Sequence, residues 1–424
     1  MSQSKSSIPP LAIIGALFFI FGFVTWLNGS LIPFLKIACE LEYSEALLVT
    51  FAFYIAYVLL AIPSSYVLQA TGFKNGMALG LVVMAVGALV FIPAAYSRSF
   101  SFFLIGLFIQ GAGLALLQTA SNPYVSILGP IESAAQRISI MGICSKIAGA
   151  LSPVILGAFV LKGASALETK LAQNLSGAER TQILDQLSER VITPYIVMAI
   201  VLVILATLVK LSGLPEINMD EEEKTTTIPV HSNRSVFEFR NLTLGILAIF
   251  MYVGVEVIAG DTIGSYGSAQ GISLDISKFF TSLTMIAMLV GYSIGIFTIP
   301  RFISQQNALK ICAIIGILFS IGVLLTHGFT SVLFVALLGL ANSLMWPAIF
   351  PLGIRGLGAF TKLGSALLIM GIGGGAVLPL LYGKLSEVVG IQNGYLILLP
   401  CYLYILFYAT NGYKTKTAPV AMSR

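Results

Sequence analysis

The sequence predicts an all-α membrane protein: twelve transmembrane helices in two pseudo-symmetric six-helix bundles, with both termini cytoplasmic. Three observations predict it. The 424-residue chain is 57% hydrophobic and only 10% charged, where soluble domains carry about 25% charged residues, and its mean hydropathy is +0.95. Its apolar stretches are each long enough for a bilayer core of about 30 Å, which takes about 20 helical residues. One long charged stretch, 214–241, divides these stretches six and six. A β-barrel is excluded, because its strands would alternate apolar and polar residues over about 10 positions.

The spans fall at 11–35, 45–69, 76–96, 101–128, 137–161 and 191–210, then at 242–267, 277–300, 308–326, 330–352, 362–383 and 392–412. Span one lacks a small-residue cleavage site and carries "TWLNG" near its end, so it is expected to stay as a helix, unlike a signal peptide. Spans two and three are plain apolar helices. Span four carries "LLQTASNP", polar in its middle, with Pro123 expected to bend it. Span five carries Lys146. The segment 162–190 is expected outside, as a capped or amphipathic helical excursion before span six. Most Lys and Arg of the short loops lie on the side of the termini, among them Lys74, Lys210, Arg301 and Arg355, which places that side in the cytoplasm.

The domains follow: a first bundle over 1–212, a cytoplasmic linker over 213–241 with its acidic run 220–223 in solvent, and a second bundle over 242–424. In the second half, span seven carries "VEVIAGDTIGSYG", whose Gly260, Gly264 and Gly267 allow the helix to unwind and free carbonyls for a cation. Spans eight and nine are apolar. Span ten carries "GLANSLMWPAIFP", and the "GIGGG" of span eleven suits close helix packing. Span twelve closes the bundle. "GALFFIFGFVTWLNG" parallels "GILAIFMYVGVEVIAG", and "GLALLQTASNP" parallels "GLANSLMWPAIFP", so polar breaks are expected in the first and fourth spans of each half. Matching interrupted helices point to a transport site.

Charges inside a membrane are costly and mark function by default. Lys146 lies nine residues beyond Arg137, about 13 Å deep. Glu256 is near the middle of span seven, and Asp261 is five residues further on. These three are the coupling or gating candidates. A structural Lys146–Glu256 ion pair is the plainer alternative, and for Asp261 it is an exposed carboxylate near the surface. Gln118 and Asn122, four apart, and Thr25 and Asn28, three apart, each project from one helical face. Amides and hydroxyls suit the hydroxyls of a neutral sugar; interhelical bonding is the alternative. Trp346, beside Pro347, and Asn342 oppose them from the second half. Cys39, Cys144, Cys312 and Cys401 show no metal spacing, and His231 and His327 fall at a loop and a helix end. No catalytic constellation and no cofactor are expected. The net charge of +5 reflects membrane topology, and no nucleic-acid partner is expected.

"TWLNG…IPFLK", "LQTASNPYVSILGP", "YVGVEVIAGD" and "WPAIFPLGIRGLG" resemble the fucose:proton symporter family of the major facilitator superfamily, in particular its glucose/galactose or N-acetylglucosamine transporter branch. The resemblance covers all twelve spans. It implies a major facilitator fold, a central sugar site, alternating access and cation-driven uptake by a multi-pass monomer in a bacterial inner membrane. The chain departs from the fucose branch at two acids: Gln118 stands where a glutamate is usual, and Gly29 where an aspartate is. Gly142, Ser145 and Lys146 replace polar residues of span five, and the loop signature is reduced to "TGFKNG". The sodium-coupled glucose branch likewise has Gln in the span-four motif. Symport of a hexose such as glucose or galactose with sodium, with Glu256 and Asp261 as ligands of the ion, is therefore the leading expectation. Proton-coupled transport of fucose or N-acetylglucosamine through Glu256 and Lys146 comes second and uncoupled facilitation third. A non-transporting membrane sugar receptor is the rival of another class.

Overall fold

A computed structural model describes residues 10–127, 134–173, 175–214, 235–299, 301–357 and 360–414. Most of the expected linker, with its acidic run, lies outside these residues. Among the described residues, twelve helices are long and apolar enough to cross a membrane, and they match the expected spans. Twelve crossings return the chain to the side on which it starts. That side is called here the terminal face and the opposite one the distal face.

The expected excursion forms two short helices, Ala164–Leu171 and Gly177–Glu189. The second begins with a capping box in which Ser176 and Glu179 exchange side-chain-to-backbone bonds. It leads directly into span six, Ile192–Leu211.

Three of the four expected breaks form, in spans one, seven and ten, and span eleven adds a further irregularity. Span one divides at Trp26–Leu27 into helices Pro10–Thr25 and Asn28–Ala38. Span seven runs Arg240–Asp261, pauses at Thr262 and resumes as Ile263–Ala269. Span ten divides at Ser343–Leu344, and span eleven tightens into a 3₁₀ turn at Gly371–Gly373. Span four, in contrast, is one helix, Phe100–Ile127, running through position 123. Two of its polar side chains find partners without unwinding: Thr119 Oγ1 donates to the Ala115 carbonyl at 2.8 Å, and Gln118 Nε2 donates to Tyr57 Oη at 3.0 Å.

Spans one to six pack among themselves, and so do spans seven to twelve. The two sets meet where span five lies on span eight, span two on span eleven, and the outer half of span one on span seven. Two glycines let Trp26 of span one pack closely on spans five and seven. A Cβ at Gly260 or at Gly149 would collide with the Trp26 ring, which is wedged between span five and span seven. Trp26 also joins Met285, Met288 and Tyr292 of span eight in a buried cluster.

Bonds between the two sets are described only at mid-depth and on the distal side. Lys278 Nζ donates to the Leu161 carbonyl at 2.8 Å, Ser282 Oγ to the Ala150 carbonyl at 2.6 Å, and Lys384 Nζ to Ser44 Oγ at 3.2 Å. The Ser165 and Ser273 hydroxyls are 2.8 Å apart. Toward the terminal face the described polar contacts stay within one set: Lys74 with the Ser212 carbonyl, and Asn241 with the carbonyls of Leu352, Gly353 and Arg355. The molecule is closed distally.

Candidate functional site

A cavity of about 140 Å³ lies between the two sets of helices and extends from mid-depth toward the terminal face. Thr25, Gln118, Lys146, Glu256 and Trp346, all candidates from the sequence, line it. The rest of its wall is mainly aromatic: Phe18, Phe21, Trp26, Tyr54, Tyr57, Tyr252 and Tyr292.

The ion pair is the centre of this cavity. Lys146 Nζ lies 2.8 Å from Glu256 Oε1, and each residue is only 8% exposed. The ammonium also lies 4.7 Å from the centroid of the Trp26 ring, over its electron-rich face. Span five places Lys146 and span seven places Glu256, so the pair bridges the two sets. The charges cancel, and the cavity presents no net charge to a ligand.

Gln118 reaches across from span four to span two. Its amide nitrogen is bonded to Tyr57, which leaves the amide oxygen as an acceptor and the Tyr57 hydroxyl hydrogen as a donor. On the opposite wall, Trp346 stacks on Phe350, with ring centroids 5.5 Å apart, and tilts toward Tyr252. The arrangement is a pair of apolar ring faces with amide and hydroxyl groups between them.

Three sequence candidates are elsewhere. Asn28 is 1% exposed and does not line the cavity. The break at Trp26–Leu27 removes the helical relation that would have set Asn28 on the face of Thr25. Asn342 is fully buried, and its side-chain oxygen accepts from Tyr402 Oη at 2.8 Å, so it joins span ten to span twelve. Asp261 is 0% exposed, where an exposed carboxylate was the alternative, and accepts from Thr50 Oγ1 at 3.3 Å. The side chain of Asn122 lies outside the described residues.

The two carboxylates expected as sodium ligands are engaged separately. Glu256 is engaged by an ammonium, whose charge would repel the ion, while Asp261 faces Thr50. Three carbonyls of span seven accept hydroxyl hydrogens. Thr281 Oγ1 donates to Gly260 at 2.7 Å, Thr284 Oγ1 to Ala259 at 3.3 Å, and Thr262 Oγ1 to Ile258 at 2.6 Å. Among the described residues no group of three or more His, Cys, Asp or Glu is placed to hold a metal.

The tyrosines are what the sequence left unsingled. Tyr54 and Tyr57, three apart in "FYIAYV", could have been read as a second polar-tipped face opposite Gln118. Trp26 was visible in "TWLNG", but only its position at the break shows that it closes the distal end of the cavity.

Fold and cavity together define a multi-pass membrane transporter built from two six-helix sets around a central site. The chain belongs to the Major Facilitator Superfamily, whose model matches residues 14–379. It is 33% identical over 420 residues to a glucose/galactose transporter of Brucella abortus biovar 1 (strain 9-941), covering 98% of this chain and 96% of that one. It is 29% identical over 420 residues to the L-fucose-proton symporter of Escherichia coli (strain K12), covering 98% and 95%. Among solved structures it resembles the Major Facilitator Superfamily transporter FucP in the outward conformation, with a TM-score of 0.73 and 27% identity over 95% of this chain and 98% of that one. The superfamily is one of transporters, and the chain is not an enzyme.

Proposed function

We propose that the protein imports a neutral hexose across the bacterial inner membrane by proton-coupled symport, the two bundles, 1–212 and 242–424, rocking about the central cavity. The observation that carries this reading is the cavity itself. Its ion pair is internally neutralised, its other hydrogen-bonding groups include an amide, hydroxyls and phenols, and its walls are mainly aromatic. An ionic substrate would lack a counter-charge there, whereas a sugar finds donors, acceptors and ring faces. Gln118, Tyr57 and Thr25 contact hydroxyls, and Trp346 covers the less polar face of the ring. With the termini in the cytoplasm, the distally closed form is the inward-facing state, ready to release sugar.

The names of the relatives support a hexose, and two of them, the fucose symporters of Escherichia coli and Haemophilus influenzae, are proton-coupled by name. The Lys146 ammonium beside Glu256 makes that carboxylate a poor ligand for a second cation. The test is uptake of labelled glucose, galactose, fucose and N-acetylglucosamine by proteoliposomes under separate proton and sodium gradients. One hexose is expected to concentrate inside under the proton gradient alone. Accumulation that requires sodium, or equilibration without accumulation, contradicts the coupling. Uptake of none of the four under any gradient contradicts hexose transport.

A further inference from the structure

The outer ends of spans one, two and seven bury a second polar group of side chains, distinct from the cavity. Asp261 of span seven, Thr50 of span two and Asn28 of span one are each 0–1% exposed, and none lines the cavity. One hydrogen bond joins them, Thr50 Oγ1 to Asp261 Oδ2 at 3.3 Å. Asp261 Oδ1 has no partner, and neither amide atom of Asn28 is in a well-formed hydrogen bond, although that amide lies beside the carboxyl.

Among the described residues no cation is bonded to Asp261. Span eight turns Thr281 and Thr284 toward this region, but both hydroxyls are bound to span-seven carbonyls. The outer helix of span one carries a single charge, Lys36, in its last turn. Among the described residues, Tyr54 of span two and Glu256 of its own helix interact electrostatically with Asp261, and Glu256 is already paired with Lys146. A buried carboxylate with one hydroxyl donor and no cation is costly, and a proton removes that cost.

We propose that Asp261 is the proton-binding residue of the transport cycle, and that its neutral carboxyl is what lets the distal side close over Thr50 and Asn28. This assignment rests on the proton-coupled reading above. With the distal side open, water reaches Asp261, and the carboxylate takes a proton from that side. Closure brings span two and span one onto the neutral group. The proton leaves to water in the cavity past Tyr54, which lines the cavity and interacts electrostatically with Asp261. The restored carboxylate then disfavours the closed distal contact, which favours return. Each cycle moves one proton with no other bond made or broken.

The experiment uses the full chain in proteoliposomes with whichever hexose the wild type concentrates. Asp261→Asn is expected to let labelled hexose equilibrate across the bilayer but not concentrate under a proton gradient. In parallel, wild-type protein is treated with a hydrophobic carbodiimide, which reacts with protonated buried carboxyls, and the adduct is located by mass spectrometry. An adduct on Asp261 that declines as pH rises is expected. Concentration by Asp261→Asn equal to wild type overturns the assignment, and so does absence of an Asp261 adduct at every pH. If the variant moves no hexose at all, the carbodiimide result decides alone. Failure of the wild type itself to concentrate hexose under a proton gradient instead removes the symport reading.

Discussion

Lys146 and Glu256 form an ion pair across the two halves of the molecule, 2.8 Å from nitrogen to oxygen, with the ammonium resting 4.7 Å from the Trp26 ring centroid. Breaking a buried pair by removing one partner costs about 3–5 kcal/mol, because the other charge is left uncompensated. Lys146→Met and Glu256→Gln should each lower the melting temperature in detergent. The double variant Lys146→Met/Glu256→Gln should recover much of the loss, since it leaves no unpaired charge. Additive losses in that double-mutant cycle would show that the two side chains are energetically independent.

Gln118 and Tyr57 are expected to act on sugar as one unit, because the amide is oriented by the phenol. Tyr57→Phe should weaken hexose binding about tenfold, the equivalent of one hydrogen bond and its geometry, or about 1.4 kcal/mol. Gln118→Ala should weaken it at least as much. Isothermal titration of the purified protein measures both. Unchanged affinity in the two variants would place the sugar elsewhere in the cavity.

The distal closure can be locked. The hydroxyls of Ser165 and Ser273 are 2.8 Å apart across the two bundles, near enough for a disulfide if both are cysteine. Ser165→Cys/Ser273→Cys should therefore stop uptake under oxidising conditions, and a reductant should restore it. Full uptake by a protein shown by mass spectrometry to be cross-linked would mean that these loops need not part during transport.

Asn241 contributes to the architecture and not to the site. It is 1% exposed, and its side-chain nitrogen lies 3.1, 3.0 and 2.9 Å from the carbonyls of Leu352, Gly353 and Arg355. It thus ties the start of span seven to the end of span ten, where helix carbonyls lack intrahelical donors. Asn241→Ala should destabilise the protein by about 1–3 kcal/mol, the cost of leaving buried carbonyls without a donor. Hexose affinity should be unaffected. Thermal melting and titration of the same preparation separate the two effects.

The fold was legible because membrane insertion constrains sequence so tightly: twelve apolar stretches can do little else. Lys146 and Glu256 were legible for the same reason, since isolated charges at that depth need a partner. Less legible was where each helix breaks. Span four keeps its helix because Tyr57, from another span, satisfies Gln118. Span one breaks at Trp26, a residue whose neighbours on spans five and seven are glycines far away in the chain. That break carried Asn28 out of the cavity and beside Asp261, a regrouping that spacing along one helix does not reveal. Asn342 was misassigned for a similar reason, because its partner Tyr402 belongs to span twelve.

The most direct measurement of the central claim is proton movement driven by sugar. Wild-type proteoliposomes are suspended in weakly buffered, sodium-free medium with no imposed gradient, and unlabelled hexose is added outside while external pH is recorded. The account predicts a prompt rise in external pH, abolished by a protonophore and absent with a non-transported sugar. Hexose entry that leaves external pH unchanged would contradict it.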